Sequence, residues 1–163
     1  MSGETIDDFY ANLLQNIEAG DADHSLNMIL GLGDIYMQLN ILSRLAHELD
    51  GELNRARVRA FESANSLIGA NSSIRASAAI FALGLGRASI SAASLYRVFD
   101  RISPSTPEIK PELFTALKYE REIELELGKL SRTLKLDPDL ESELAKLIKI
   151  NSLILRVLES LIV

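Results

Sequence analysis

Few side chains in this sequence have the types and spacing that acid–base or metal chemistry requires. The chain has no cysteine and only two histidines, His24 and His47, which excludes disulfides, thiolate metal sites and cysteine nucleophiles. Arg44 lies three residues before His47, so one helix face could hold a base beside a cation. Ala46 lies between them in an apolar repeat, which favours the interpretation of Arg44 and His47 as surface residues.

Alternating glutamates form the second candidate group: Glu120, Glu122, Glu124 and Glu126. Magnesium-dependent hydrolysis needs several carboxylates that converge from two helices. Glutamates spaced by two alternate around a helix and do not converge, although Glu120 and Glu124 share a face. Neighbouring lysines and arginines favour ordinary ion pairs at these positions. We therefore predict no catalytic residue, no metal site and no cofactor, and a small helical hydrolase stays a minor alternative.

Arginines in the middle of the chain form the third group. The residues that could contact phosphates are Arg55, Arg57, Arg59, Arg75 and Arg87. Arginine suits bidentate contacts to phosphate or carboxylate, and such a surface could bind a nucleic-acid backbone without reading its bases. No aromatic residues alternate with these arginines, so stacking on single strands is not predicted.

Charge is distributed unevenly along a chain whose net charge is −6. Residues 1–52 contain ten acids and one base, residues 53–101 contain seven arginines and two acids, and residues 102–163 contain nine bases and eleven acids. This polarity could serve an anionic partner, or it could let the segments neutralise one another. We favour neutralisation within the protein, because a nucleic-acid-binding domain is more often basic overall.

The elements that carry these residues are all predicted to be helices. With 163 residues, of which 47% are hydrophobic, the chain suits a single domain, residues 1–163, with a sizeable core. Apolar residues recur at helical spacing throughout. We predict an all-α fold, an antiparallel bundle of four main helices preceded by one short N-terminal helix. Residues 1–102 hold the N-terminal helices, 103–111 a proline-rich loop, and 112–163 a C-terminal helix pair.

A long heptad pattern distinguishes the second segment. Apolar residues follow steps of four and three from Met28 to Leu67, and Ser63 is the only polar member of this series. The series keeps its phase across Gly51, so we predict one continuous helix over about residues 34–68 rather than a turn. Asp34 is the expected cap, and Gly31 and Gly33 weaken the pattern before it.

Small residues distinguish the next helix, predicted over about residues 72–102. Ala78, Ala82 and Gly86 are spaced by four, which allows two helix backbones to approach closely. The segment is long enough to cross a membrane, but its central Arg87 would cost about 2.5–3.5 kcal/mol there, so a membrane partner is not expected. The apolar C-terminus is expected in the core or in a subunit contact. It consists of Leu161, Ile162 and Val163.

These patterns predict a non-enzymatic protein that self-associates or serves as a subunit of a larger assembly. The expected partners are copies of the chain or other proteins. The alternative is a nucleic-acid-associated bundle, such as a small subunit of a nucleoprotein complex or a viral coat protein. The expected location is the cytoplasm, or a virion for a coat protein.

Overall fold

A computed structural model describes the backbone of residues 5–66, 72–132 and 138–163, which is helical apart from short connections. None of these residues forms a strand, so the predicted all-α class is confirmed. The described residues form six helices where five were predicted: α1 Ile6–Glu18, α2 Ala22–Leu30, α3 Ile35–Ser66, α4 Ser72–Arg101, α5 Lys110–Leu130 and α6 Pro138–Ile162.

The additional helix arises because the chain turns between α1 and α2 and turns again between α2 and α3. The side chain of Thr5 accepts a hydrogen bond from the backbone of Asp8 and starts α1, while Asp21 caps α2 in the same way. Gly20 and Gly33 have φ of 85° and 74°, a left-handed conformation that glycine adopts without strain. The chain therefore turns before α2 and again before α3.

Helix α3 runs through Gly51 without interruption, as the heptad pattern predicts. The seam residues from Leu39 to Ala60 are at most 2% exposed, and they face the interior of the same chain. The predicted members Ser63 and Leu67 lie outside the described side chains. A heptad pattern marks a packed face, and in this protein the helices of its own chain cover that face.

Helix α4 packs against α3 and α5, and α6 packs against α5 and α3. The two short helices α1 and α2 contact α6, and α2 also contacts α3. One connected apolar core includes residues from all six helices.

The connection between α4 and α5 ends at Ile109, and Pro111 lies in the first turn of α5, where its missing amide hydrogen is not needed.

Candidate interaction surface on α4

An apolar stripe faces solvent along the outer side of α4. Ile80, Leu83 and Ile90 are 58%, 55% and 68% exposed, and Arg87 lies between the last two. The steps from Ile80 to Ile90 are three, four and three residues, which place all four side chains on one face. More than half of the surface of each of these three apolar residues is exposed to water, and none of the described helices covers it.

A shallow groove of about 420 Å³ runs beside this stripe, between α3 and α4. Phe61 of α3 lies on its far side and is itself 39% exposed, so both walls contribute apolar surface. Gly86 forms part of the floor, and a Cβ built there would lie 3.3 Å from Cδ of Arg57. The absence of a side chain at Gly86 therefore lets the Arg57 stem lie across α4.

A hydrogen bond next to this groove joins α3 to α4, and a second bond within α3 orients its acceptor. The Ser89 hydroxyl donates to Oδ1 of Asp50 over 2.6 Å, and the Asn54 amide donates to the same oxygen over 3.1 Å. A short bond to a carboxylate is stronger than a bond between neutral groups. This network fixes the position of α4 along α3 and therefore the position of the exposed stripe.

The structure separates the five arginines that were grouped from the sequence. Three of them pair with acids of the same chain: Arg55 with Glu52 at 2.7 Å, Arg59 with Glu143 at 3.7 Å, and Arg87 with Glu126 at 3.4 Å. Arg57 lines the groove. The side chain of Arg75 lies outside the described residues.

Further pairs connect the acidic N-terminal residues and the C-terminal helices to bases elsewhere in the chain: Arg44 with Asp7 at 2.6 Å, Arg156 with Asp23 at 2.9 Å, and Arg101 with Glu112 at 2.8 Å. Glu52 lies between Arg55 and Lys146. Burial opposes its ionisation, but the hydrogen bonds and charges of those two bases outweigh that effect and lower the pKa of Glu52. Charged segments that are distant in sequence therefore neutralise one another within the chain.

The residues predicted to form a packing surface lie in different environments. Ala78 and Ala82 are buried within the chain, whereas Gly86 borders the groove. Leu161 and Ile162 are partly buried against the core, and Val163 is fully exposed. The small residues therefore serve contacts within the chain, and the exposed apolar surface of α4 lies on the opposite side of that helix.

The glutamates considered for metal chemistry do not converge. Glu120 is fully buried, both of its carboxylate oxygens lack a hydrogen-bond partner among the described residues, and Glu124 on the same helix is exposed. Burial, and secondly the charge of Glu124, raise the pKa of Glu120 well above its ordinary value. The expected ion pairing of Glu120 is wrong. The described residues contain no group of three histidine, aspartate or glutamate side chains that could hold a metal ion.

Within the described residues, Ala76–Arg101 is one helical segment whose length and hydropathy would suffice to cross a membrane. Half of its most apolar window is buried in the protein. Because the segment is apolar on most sides, its composition does not indicate which face points outward. The spacing of Ile80, Leu83 and Ile90 by three and seven residues was the signal in the sequence for the exposed stripe.

Compared with protein-family models, curated proteins and solved structures, the chain matches none of them.

Proposed function

We propose that this chain is a non-enzymatic assembly protein that pairs with a second copy of itself through the outer face of α4. The observation that carries the proposal is the exposed stripe of Ile80, Leu83 and Ile90. Contiguous apolar surface on a folded protein is typical of an interaction site. The heptad spacing of the stripe suits packing against another helix rather than against a flat surface.

The symmetry of the stripe supports a second copy as its partner. Ile80 and Ile90 lie five residues on either side of Leu85, and Leu83 and Arg87 lie two residues on either side. When two antiparallel α4 helices cross at the level of Leu85, whose own side chain is buried in its chain, each Ile80 meets the Ile90 of the other copy. Each Leu83 then meets the apolar stem of the other Arg87. A two-fold interface requires this kind of self-complementary patch.

Charge supports the same arrangement. A like charge brought to the centre of a two-fold interface would repel its copy. The Arg87 guanidinium is paired with Glu126 of its own chain, which offsets that repulsion. The walls of the neighbouring groove add Phe61 to the apolar area that a second copy would cover.

The fold that presents this face is, in our proposal, an antiparallel bundle of α3, α4, α5 and α6. Each of these helices packs against two others, and the contact between α6 and α3 closes the cycle. The connections from α4 to α5 and from α5 to α6 are short, which favours antiparallel neighbours. Helices α1 and α2 cover one side of that bundle.

The nucleic-acid alternative and the hydrolase alternative stay predictions that no observation in the described residues favours. The pairing of Arg55, Arg59 and Arg87 with acids of the same chain leaves fewer unpaired charges for phosphates. We therefore rank self-association first.

Light scattering coupled to size exclusion tests the proposal. We expect a dimer for the natural sequence at micromolar concentration. Ile80→Glu should weaken the dimer by at least about 100-fold, because the new carboxylate would face Ile90 of the other copy, and a carboxylate left unpaired in an interface costs several kcal/mol. The matched control is Leu125→Glu on α5, since Leu125 is 57% exposed and lies outside the stripe. That variant should remain dimeric.

A monomeric natural protein would overturn the proposal. Dissociation by Leu125→Glu with no effect of Ile80→Glu would overturn the choice of α4 and would assign the contact to α5. A short duplex of DNA or RNA added at low salt provides a further arm. Co-elution with the protein would favour the nucleic-acid alternative instead.

A further inference from the structure

The outer face of α5 carries a row of exposed apolar and basic side chains. Its members follow steps of four, three and four residues, which keep them on one side of a helix with about 3.6 residues per turn. They are Phe114, Lys118, Arg121 and Leu125. Phe114 and Leu125 are 51% and 57% exposed. These two apolar side chains lie about 16 Å apart along the helix axis and bracket the two cations between them.

Two further cations extend this row toward the ends of α5. Lys110 and Lys129 are exposed, and they project within about 60° of the direction of Phe114. No acidic residue of α5 projects within that range. We call the surface formed by these side chains the basic face of α5, and it consists of Lys110, Phe114, Lys118, Arg121, Leu125 and Lys129.

The glutamates of α5 point away from this face, and most of them contact another helix. Glu120 is buried, and Glu124 is exposed on one flank of α5. The other three accept hydrogen bonds from α4. They are Glu112, Glu122 and Glu126, and their donors are Arg101, Ser91 and Arg87. These acids are therefore directed toward α4 and not toward the basic face.

The two cations at the centre of the basic face have no acid partner among the described residues. Arg121 forms no ion pair or side-chain hydrogen bond there, and the ammonium group of Lys118 lies 5.9 Å from the centre of the Tyr119 ring. At the edge of the face, Lys129 lies 3.8 Å from a carboxylate oxygen of Glu126. The charge neutralisation found elsewhere in the chain therefore does not reach the centre of this face.

The combination of cations with apolar side chains determines which partner fits. A second copy is disfavoured, because antiparallel α5 helices that pair Phe114 with Leu125 also place their central cations against each other. A nucleic-acid backbone would satisfy the cations but would leave both apolar side chains in water. The surface of an anionic bilayer complements both, because its phosphates attract the cations and the acyl boundary beneath them accepts apolar side chains.

We propose that the basic face of α5 binds the surface of an anionic lipid bilayer, with the helix axis parallel to the membrane plane. Phe114 and Leu125 would enter the boundary between headgroups and acyl chains, while the cations contact lipid phosphates. This contact is peripheral, so it differs from a crossing of the bilayer by α4, which Arg87 disfavours. The face belongs to a single chain, so the proposal does not rest on the dimer.

Co-sedimentation with lipid vesicles tests the proposal. We expect the natural protein to bind vesicles made of equal parts of phosphatidylcholine and phosphatidylglycerol, but not vesicles of phosphatidylcholine alone. At about 0.1 M salt the screening length is about 10 Å, so distant acids of this chain, whose net charge is −6, oppose binding only weakly. Binding should be lost at about 1 M salt, where the screening length is about 3 Å.

Replacing the two central cations measures what the face contributes. Lys118→Gln/Arg121→Gln should weaken binding to the mixed vesicles by about 25-fold, because each cation near an anionic surface contributes about fivefold. The matched control is Arg97→Gln/Lys149→Gln, which removes two exposed cations from α4 and α6 and should bind normally.

Two variants of the self-association test separate this proposal from the proposed dimer. Leu125→Glu should remain dimeric but lose binding to the mixed vesicles, because it places an acid on the basic face. Ile80→Glu should lose the dimer but keep the salt-dependent binding, because it leaves α5 unchanged.

A fluorescent reporter follows insertion into the bilayer. Phe114→Trp places the only tryptophan of the chain on the basic face. Its emission should shift to shorter wavelength when the mixed vesicles are added, because the indole ring leaves water. Phe61→Trp on α3 is the control and should show no shift.

Four results would overturn the proposal. They are the absence of binding to the mixed vesicles at about 0.1 M salt, equal binding to both kinds of vesicle, unchanged affinity in Lys118→Gln/Arg121→Gln, and unshifted emission of Phe114→Trp on bound vesicles. Circular dichroism of each variant checks that the helices are intact. Binding of a DNA duplex without binding of vesicles, lost in Lys118→Gln/Arg121→Gln, would assign the face to nucleic acid instead.

Discussion

Replacing Glu120 should make the protein more stable, and the gain should grow with pH. Glu120 is fully buried on α5, and neither of its carboxylate oxygens has a partner among the described residues. Burial and the nearby Glu124 charge raise its pKa well above the ordinary value of 4.5. The folded protein therefore keeps a proton on Glu120 over a range of pH in which the unfolded chain has lost it.

The direction of the effect follows from this difference in proton binding. A raised pKa in the folded state contributes stability that is fully present below pH 4.5 and is lost as pH rises through the folded-state pKa. Within that window the natural protein loses up to about 1.4 kcal/mol of unfolding free energy per pH unit through this one group. Glutamine at position 120 does not titrate, so Glu120→Gln escapes this loss.

Urea denaturation of the natural protein and of Glu120→Gln at a series of pH values measures the effect on the free energy of unfolding. The protein concentration is held fixed, because self-association also contributes to stability. The free-energy difference between Glu120→Gln and the natural sequence should widen as pH rises from about 4.5 toward neutrality. Glu120→Leu should add a further gain of about 1–3 kcal/mol, since it removes the buried polar group altogether. Glu159→Gln, at an exposed site, is the control.

A free-energy difference that stays constant across the pH series would refute this reasoning. It would mean that Glu120 ionises equally in both states, and hence that water or a partner group reaches it in the folded protein. Glu124→Gln adds a second check. Removing that neighbouring charge should narrow the pH window without abolishing it, because burial is the larger cause of the raised pKa.

Two further predictions concern how α4 and α5 pack. Gly84→Ala should destabilise the protein by about 1 kcal/mol, because the new Cβ would lie 2.8 Å from Cδ2 of the buried Leu130. Gly128→Ala should instead stabilise α5 by about 0.5–1 kcal/mol, because its new Cβ would meet no atom within 4 Å. Thermal denaturation of the two variants compares them directly, and equal shifts would contradict this account. Ser89→Ala should cost about 1–3 kcal/mol in urea denaturation, because it removes the 2.6 Å hydrogen bond to the Asp50 carboxylate that joins α3 to α4. No change in the urea midpoint would show that water replaces the hydroxyl at no cost.

The sequence predicted the long helices well because their signals are local. The heptad series held its phase through Gly51, and α3 is continuous there. The sequence pattern predicts only that Gly31 and Gly33 weaken the helix before Asp34. In the structure α2 ends at Leu30 with Gly31 as its C-cap, and Gly33 adopts a positive φ of 74° before α3 begins. Local spacing therefore located the helices, but the backbone turn at these two glycines determined their number.

The buried glutamate shows why the candidate sites were harder to predict. Glu120 lies four residues after Ala116 and three before Ile123, which places it within the apolar stripe of α5. That position was readable from the sequence, but neighbouring lysines and arginines made ion pairing the simpler interpretation. The groove beside the exposed stripe could not be predicted, since it depends on side chains from α3 and α4, whose relative placement only the folded chain determines.

The contacts of the first two helices with α6 have a consequence for synthesis on the ribosome. Arg156 of α6 donates a hydrogen bond to Asp23, 133 residues earlier, and Lys146 pairs with Glu18. Helices α1 and α2 emerge before α6, but much of the surface that they cover belongs to α6 and does not yet exist. Closing so long a loop is slow compared with forming a helix. Helices α1 and α2 are therefore made before most of the bundle but reach their final place only after α6 has been made.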